Sequence, residues 1–425
     1  MSNIILSSNN NSALIQSLNE SESRVIPSIY STKEIYAPYS TNWYTIDSSS
    51  GNSGDGQAVN FDLPKYGFLQ QMLFSYTKNI VNDSTSGTPD AALHKTPTGD
   101  IFNVIDRVEL LSSSRILLTK YSEDLIAEFS ALSSDQLYAI SATAIKEGAA
   151  ASAGSTTNSI KFVIPLTFFF DLNTMPNLSF NEPMSLRITF RDTKQYSVAR
   201  TPGSNAPVVS VTNPQLMLRY KMYDEADTAQ VLSNNYDSEQ LNQLIRRQYR
   251  ENPQSHAHTG TDTSHTFEII LRNVDVVNEF YALVRSKPTT VAAGDESDAK
   301  VNELAEIQEL TLTASGQELC KLTKEQLLYM SLTENGYQTN NSNLSTEDGV
   351  KLLNVNKIQT GLWCHGTGSG KWSNGWSLRE MNNVVLSVKC TVAAGNTYTC
   401  YVQETTSAIM STSSATGRCS IALAN

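Results

Sequence analysis

Val108-Glu-Leu-Leu-Ser-Ser-Ser-Arg-Ile-Leu117 and Leu310-Thr-Leu-Thr-Ala-Ser-Gly-Gln-Glu-Leu319 align without a gap at an offset of 202 residues. Each reads as a strand, a polar turn and a second strand. At the same offset Glu123, Leu125 and Ile126 fall on Glu325, Leu327 and Leu328, which open a short helix in each copy. A second match pairs Ser179, Glu182, Leu186, Ile188 and Phe190 with Ser377, Glu380, Val384, Leu386 and Val388, now at offset 198. Two matches in the same order at nearly equal offsets argue for one fold used twice.

The flanking sequence reads as strands. Val59, Phe61 and Leu63 alternate with polar residues, as do Phe267, Ile269 and Leu271, which puts each set on one face of a strand. Gly, Ser and Thr clusters at 50–56, 83–89, 147–158 and 339–349 mark loops. Apolar residues make up 40% and charged residues only 17% of the 425, so long charged helices are not the main building material. The fold class expected is all-β: two tandem eight-stranded jelly-roll β-sandwiches with a few short helices in loops. The expected division is an N-terminal arm at 1–30, a first jelly roll at 31–232, a linker at 233–264 and a second jelly roll at 265–425. Capping boxes at Ser133 to Gln136 and Thr323 to Gln326 predict two short helices. The stretch from Tyr223 to Arg250 is the longest helix-compatible region, with Asp224, Glu225 and Asp227 at its start and Arg246, Arg247 and Arg250 near its end.

A net charge of −11 argues against a protein that coats nucleic acid, because displacing counterions from phosphate takes a basic surface. The one basic cluster, Arg246 to Arg250, is short, so no direct nucleic-acid contact is expected. The N-terminus lacks the basic and apolar regions of a signal peptide. No stretch approaches the roughly 18 apolar residues of a membrane span. The five cysteines, Cys320, Cys364, Cys390, Cys400 and Cys419, are odd in number, show no CxxC and read as buried thiols on strands.

No catalytic set assembles from the motifs, and no enzyme, cofactor or metal site is expected. Gly366 to Lys371 resembles a phosphate loop, but His365 and Trp372 stand where that loop needs Gly and a hydroxyl. His256, His258 and His265 lie near Asp262; zinc asks for four firm ligands, so this stretch reads as a solvated linker. Trp363, Trp372 and Trp376 read as subunit-interface anchors. In a rival reading they form the stacking surface of a viral spike or of a carbohydrate- or receptor-binding sandwich.

The order of motifs resembles the double jelly-roll major capsid proteins of large eukaryotic DNA viruses, of the chlorella virus and iridovirus type. Ile105-Asp-Arg-Val-Glu-Leu-Leu111 resembles the family's strand before a short helix, and Ile164-Pro-Leu-Thr-Phe-Phe-Phe170 is similar to its Pro- and Phe-rich block. Pro214 to Glu225 resembles the strand closing the first jelly roll, and Gly370 to Leu386 and Ile409 to Asn425 are similar to segments of the second. Trp376 departs from the family's usual Phe, and Thr167 interrupts the Pro-rich block. The resemblance implies a structural virion protein, not an enzyme, assembling in the infected cell. It implies a homotrimer that forms a pseudo-hexameric capsomer of an icosahedral double-stranded DNA virus. Implied partners are neighbouring capsomers, minor capsid or penton proteins, and an internal membrane reached by the N-terminal arm.

Overall fold

A computed structural model describes residues 39–51, 53–54, 56–82, 93–94, 104–125, 145–147, 156–166, 182–191, 198–199, 208–225, 228, 236–237, 240–272, 276–289, 303–333, 356–359, 363–365, 371–373, 376–377, 381–413, 416 and 418–423. The arm at 1–30, the capping box at Ser133 to Gln136 and the turn at 366–370 lie outside them.

The first half supplies β1 (Ser40–Asp47), β2 (Ala58–Asp62), β3 (Phe68–Asn82), β4 (Ile105–Ser112), β5 (Arg115–Tyr121), β6 (Thr156–Pro165), β7 (Met184–Phe190) and β8 (Val208–Met222). One sheet runs β1-β8-β3-β6 and the other β2-β7-β4-β5, each with a short strand added at one edge. The alternation seen in the sequence sets the layers. In β7 every odd-numbered position is half-buried, while Met184, Leu186, Ile188 and Phe190 are buried. They meet Phe61, Phe74, Tyr76 and Phe162 between the sheets. Burying each such side chain contributes about 1.5–3 kcal/mol, so the stacked rings of Tyr76 and Phe162 and the edge contact of Phe61 on Phe74 anchor the core.

The second half repeats the plan with β9 (Gln240–Arg250), β10 (Gln254–His258), β11 (Ser264–Ile270), β12 (Val276–Pro288), β13 (Ile307–Ala314), β14 (Gln317–Thr323), α1 (Lys324–Thr333), β15 (Asn356–Gln359), β16 (Val385–Thr391), β17 (Asn396–Ser413) and β18 (Cys419–Leu423). One sheet is β11-β16-β13-β14, matching β2-β7-β4-β5 strand for strand. In the other, β17 lies between β12 and the β9/β10 segments, as β8 lies between β3 and β1, and β15 pairs with β12 as β6 pairs with β3.

Irregular features repeat as faithfully as regular ones. The β4-β5 and β13-β14 hairpins turn through Ser113 and Ser315, 202 residues apart, both at positive φ (54° and 50°). Each of these serines donates its amide across the sheet, Ser113 to the Pro183 carbonyl and Ser315 to the Asn382 carbonyl, both at 2.8 Å. A register shift falls between Leu110 and Leu111 in one hairpin and between Leu312 and Thr313 in the other. Alternation alone makes unrelated strands look alike; a bulge and a left-handed serine at matched positions do not arise from alternation. The two sandwiches are copies, and both are jelly rolls.

Three sequence expectations need correction. Leu110 pairs with Leu186 and Leu312 with Leu386, so the second match runs at offset 200, not 198. A two-residue slip keeps every side chain on its face, which makes it silent in an alternation pattern. The helix-compatible stretch does not stay helical to Arg250, because Gln240–Arg250 is a strand paired along its length with β17. Leu241, Leu244 and Ile245 mimic helical spacing, and sheet pairing overrides it. For the same reason the expected linker at 233–264 is not a linker: β9 and β10 lie within it and belong to the second sandwich. The helix expected after Thr323 is present. Its entry is held by the Thr323 amide, which donates to Gln326 Oε1 at 2.9 Å.

Candidate functional site: the seam between the two sandwiches

β12 buries both of its faces. Phe280, Ala282 and Val284 point into the second core, while Tyr281, Leu283 and Arg285 on the opposite face are also buried. The first sandwich covers that second face. Tyr281, Ala408, Met410 and Cys419 join the hydrophobic cluster of the first half, so apolar packing runs across the boundary.

β5 and the helical turn at 122–125 that follows it supply the covering surface, and Glu123 sits at its centre with 1% exposure. Its Oε1 accepts from Arg191 Nη2 at 2.9 Å and faces Arg285 Nη2 at 3.0 Å, while Oε2 lies 3.5 Å from Arg250 Nη1. Arg191 belongs to the first sandwich, Arg250 and Arg285 to the second. The hydroxyl of Ser122 accepts from Arg285 Nη2 at 3.0 Å and from Arg191 Nη2 as well. Arg250 lies over the rings of Tyr121 and Tyr401, at 4.4 and 4.5 Å, one ring from each sandwich. At the rim Arg115 donates to the Cys419 carbonyl, and Glu182 faces Arg418 at 3.3 Å.

Burial alone would push the Glu123 carboxyl upward, but Arg285, Arg191 and Arg250 together hold it at about 2. Its neighbour Asp124 goes the other way. Burial, opposed by the Tyr121 amide that donates to its Oδ2 at 2.7 Å, pushes it up to about 7. Because Asp124 has a raised folded pKa, its own contribution to stability is fully present below its unfolded value of about 3.8 and is lost as pH rises to about 7. Asp124→Asn keeps an acceptor for the Tyr121 amide and removes the charge. The variant is therefore expected to gain stability over wild type that is larger at pH 8 than at pH 4, as read by urea denaturation at both values.

The residues singled out in the sequence fall elsewhere. Trp363 and Trp372 stand on the two strands of a small ribbon, with Trp372 opposite Cys364, and Trp376 pairs with Val277 of β12. The side chains of all three lie outside the described residues. His256, His258 and His265 are not a solvated linker. The rings of His256 and His265 stack 3.7 Å apart, His256 Nε2 is 3.4 Å from His258 Nδ1, and His258 is buried. Strand pairing of β10 with β17 and of β11 with β16 draws them together. Burial first, then His256 and His258, lowers the His265 pKa. Among the described residues no group of three His, Cys, Asp or Glu is placed to hold a metal. Cys390, Cys400 and Cys419 are buried free thiols; burial pushes Cys390 and Cys419 up to about 11 and Cys400 higher still.

Sequence reasoning missed the seam. Glu123 stood out only as a marker of the repeat, and Arg250 as the end of a helix-compatible stretch, where the structure has a strand. Nothing in the linear sequence links Glu123 to arginines at 191, 250 and 285.

No protein-family model matches the sequence, and no curated protein matches it. Solved structures do. A chain of the PBCV-1 virus capsid superposes with a TM-score of 0.59 at 13% identity, over 93% of this chain and 99% of that one. The Faustovirus major capsid protein gives 0.57 at 10% identity, over 95% and 97%. The mavirus major capsid protein gives 0.54 at 15% identity, over 92% of each chain. The two copied sandwiches, in the same order and along nearly the whole length, give this chain the double jelly-roll fold of those viral capsid proteins.

Proposed function

We propose that the chain is a major capsid protein, a structural subunit that trimerises into pseudo-hexameric capsomers in the icosahedral shell of a double-stranded DNA virus. The observation that carries this reading is that one chain holds two copies of one sandwich, fixed to each other by a buried seam. Two like sandwiches per chain let a threefold assembly imitate a sixfold tile, and tiles of that symmetry cover flat facets. A rigid seam matters to such a block, since a hinge between the copies would destroy the imitation. The fold likeness to capsid proteins from three viruses points the same way.

On this reading the protein resides in the virion. Its partners are neighbouring capsomers, minor capsid or penton proteins and, through the arm at 1–30, an internal membrane. The net charge of −11 fits a shell that does not touch the genome directly. Trp363, Trp372 and Trp376 remain proposed as anchors of subunit contacts.

The expected result for the purified protein is a stable trimer of about 140 kDa, three times 46.7 kDa, by light scattering at micromolar concentration. Electron microscopy is expected to show particles of hexagonal outline. A monomer that persists as the concentration is raised defeats the proposal.

A further inference from the structure

Three imidazoles meet where the second sandwich passes from one sheet to the other. Among the described residues β10 pairs only with β17, while β11 pairs with β16 of the facing sheet. Along β10 His256 and His258 turn inward, and Gln254, Ser255 and Ala257 are exposed. The backbone ties this corner to the turn between β16 and β17. The Gly395 amide donates to the His258 carbonyl and the Val392 amide to the Thr263 carbonyl, both at 3.0 Å.

The ring contacts suit neutral imidazoles. His256 Nε2 lies 3.4 Å from His258 Nδ1, a contact in which one nitrogen must donate and the other accept. His256 also stacks on His265, with centroids 3.7 Å apart and planes 3° from parallel. Phe267 meets His265 edge-on at 4.6 Å, and His258 Nε2 is buried with no hydrogen-bond partner. A proton makes both nitrogens of a ring donors. Charge on His256 and His258 together would set two N–H groups against each other, and charge on His256 and His265 would stack two cations. On His258 the charged Nε2–H would lie buried without an acceptor.

Nothing facing the cluster offsets this. β16 brings the Cys390 thiol opposite His265, and β17 brings the Tyr398 hydroxyl on the residue opposite His256. Asp262 in the connecting turn forms no ion pair with any of the three among the described residues. Glu268 is exposed on the outer face of β11, and Lys389, opposite Thr266, shares that outer face.

We propose that His256, His258 and His265 form an acid-sensitive latch: neutral, they tie β10 to β11, and on protonation they repel and release β10 from β17. The latch is a property of the single chain and does not depend on the assembly proposed above.

The sign follows from linkage. Burial, then His256 and His258, lower the His265 pKa from its ordinary 6.5, so the opened segment binds protons that the closed one refuses. This contribution is fully present above about pH 6.5 and is lost as pH falls below it. The seam carboxylates respond differently. Glu123 stays ionised until pH approaches about 2, and the stabilising contribution of Asp124 grows as pH falls from about 7.

Hydrogen exchange of the full chain, read by mass spectrometry on peptides covering 254–258, tests the latch. The quantity read is the loss of protection between about pH 7.5 and about pH 5, after the intrinsic effect of pH on exchange is divided out. Any loosening that a variant carries at both values then drops out. Wild type is expected to lose protection about tenfold or more at 254–258 and to keep it in β13, since one excluded proton is worth about tenfold per pH unit. His256 takes part in both contacts, so His256→Gln is expected to lose less than about twofold. His265→Phe keeps a ring to stack and removes one proton, and is expected to lose about threefold. Should one variant misfold, the other carries the test. Full protection of wild type at about pH 5, a loss in the folded variants equal to that of wild type, or an equal loss in β13 overturns the proposal.

Discussion

Glu123→Gln is expected to destabilise the protein by about 3–5 kcal/mol, as judged by chemical denaturation near neutral pH. The substitution keeps the side chain's volume and removes its charge. Three guanidiniums, from Arg191, Arg250 and Arg285, would then share a buried site without the carboxylate that faces all three. The cost lies less in the lost attraction than in the uncompensated charge left behind. For that reason Glu123→Gln combined with Arg285→Met is expected to recover part of the loss, because the second change removes one stranded cation. The pH dependence has a definite sign. Glu123 has a folded pKa of about 2 against about 4.5 in the unfolded chain, so its contribution is fully present above about pH 4.5 and is lost as pH falls toward 2. The stability gap between wild type and Glu123→Gln is therefore expected to narrow over that window. A gap below about 1 kcal/mol at pH 7 would mean that the seam is not held by this carboxylate.

How much of this was legible beforehand follows from the range of each interaction. The hairpin at 108–117 and its copy at 310–319 were legible because strand, turn and strand are local, and duplication preserved them down to the left-handed serine. The two-residue error at Leu186 and Val384 shows the limit of that signal. Period-two spacing fixes which face a residue takes and leaves its partner undetermined, whereas the pairing of Leu386 with Leu312 is set by a strand more than 70 positions away. The segment 240–258 was misread because its leucines fit both periodicities, and only β17 decides between them. The seam was invisible for a stronger reason. A charged residue in a strand or short turn is usually solvated, and Glu123 becomes a buried anchor only after two sandwiches, each folded from distant segments, come together. The histidines stand out as a cluster but read as solvated, because β10, which brings His256 and His258 beside His265, falls in the stretch that reads as a linker.

If the copies are energetically as well as topologically equivalent, matched substitutions in their cores should behave alike. Leu110 and Leu312 occupy the same place, 202 residues apart, both fully buried, each paired across to a leucine of the neighbouring strand, Leu186 and Leu386. Leu110→Ala and Leu312→Ala are each expected to cost about 2–5 kcal/mol, the lost transfer of three carbons plus the cavity left behind. The two sites share no partner, so the double variant is expected to lose the sum to within about 0.5 kcal/mol. The seam adds a further condition. Unfolding the first sandwich would bare Tyr281, Leu283 and Arg285 on the outer face of β12, and unfolding the second would strand Glu123. Neither sandwich is therefore expected to melt alone, and each single variant should show one calorimetric transition, compared at a fixed protein concentration because assembly also shifts stability. Two separated transitions in Leu312→Ala, with only one of them displaced from its wild-type position, would mean that the sandwiches are independent bodies. A freely hinged pair could not hold the fixed relation on which a pseudo-hexagonal tile depends, so that result would weigh against the capsid reading as well as against the seam.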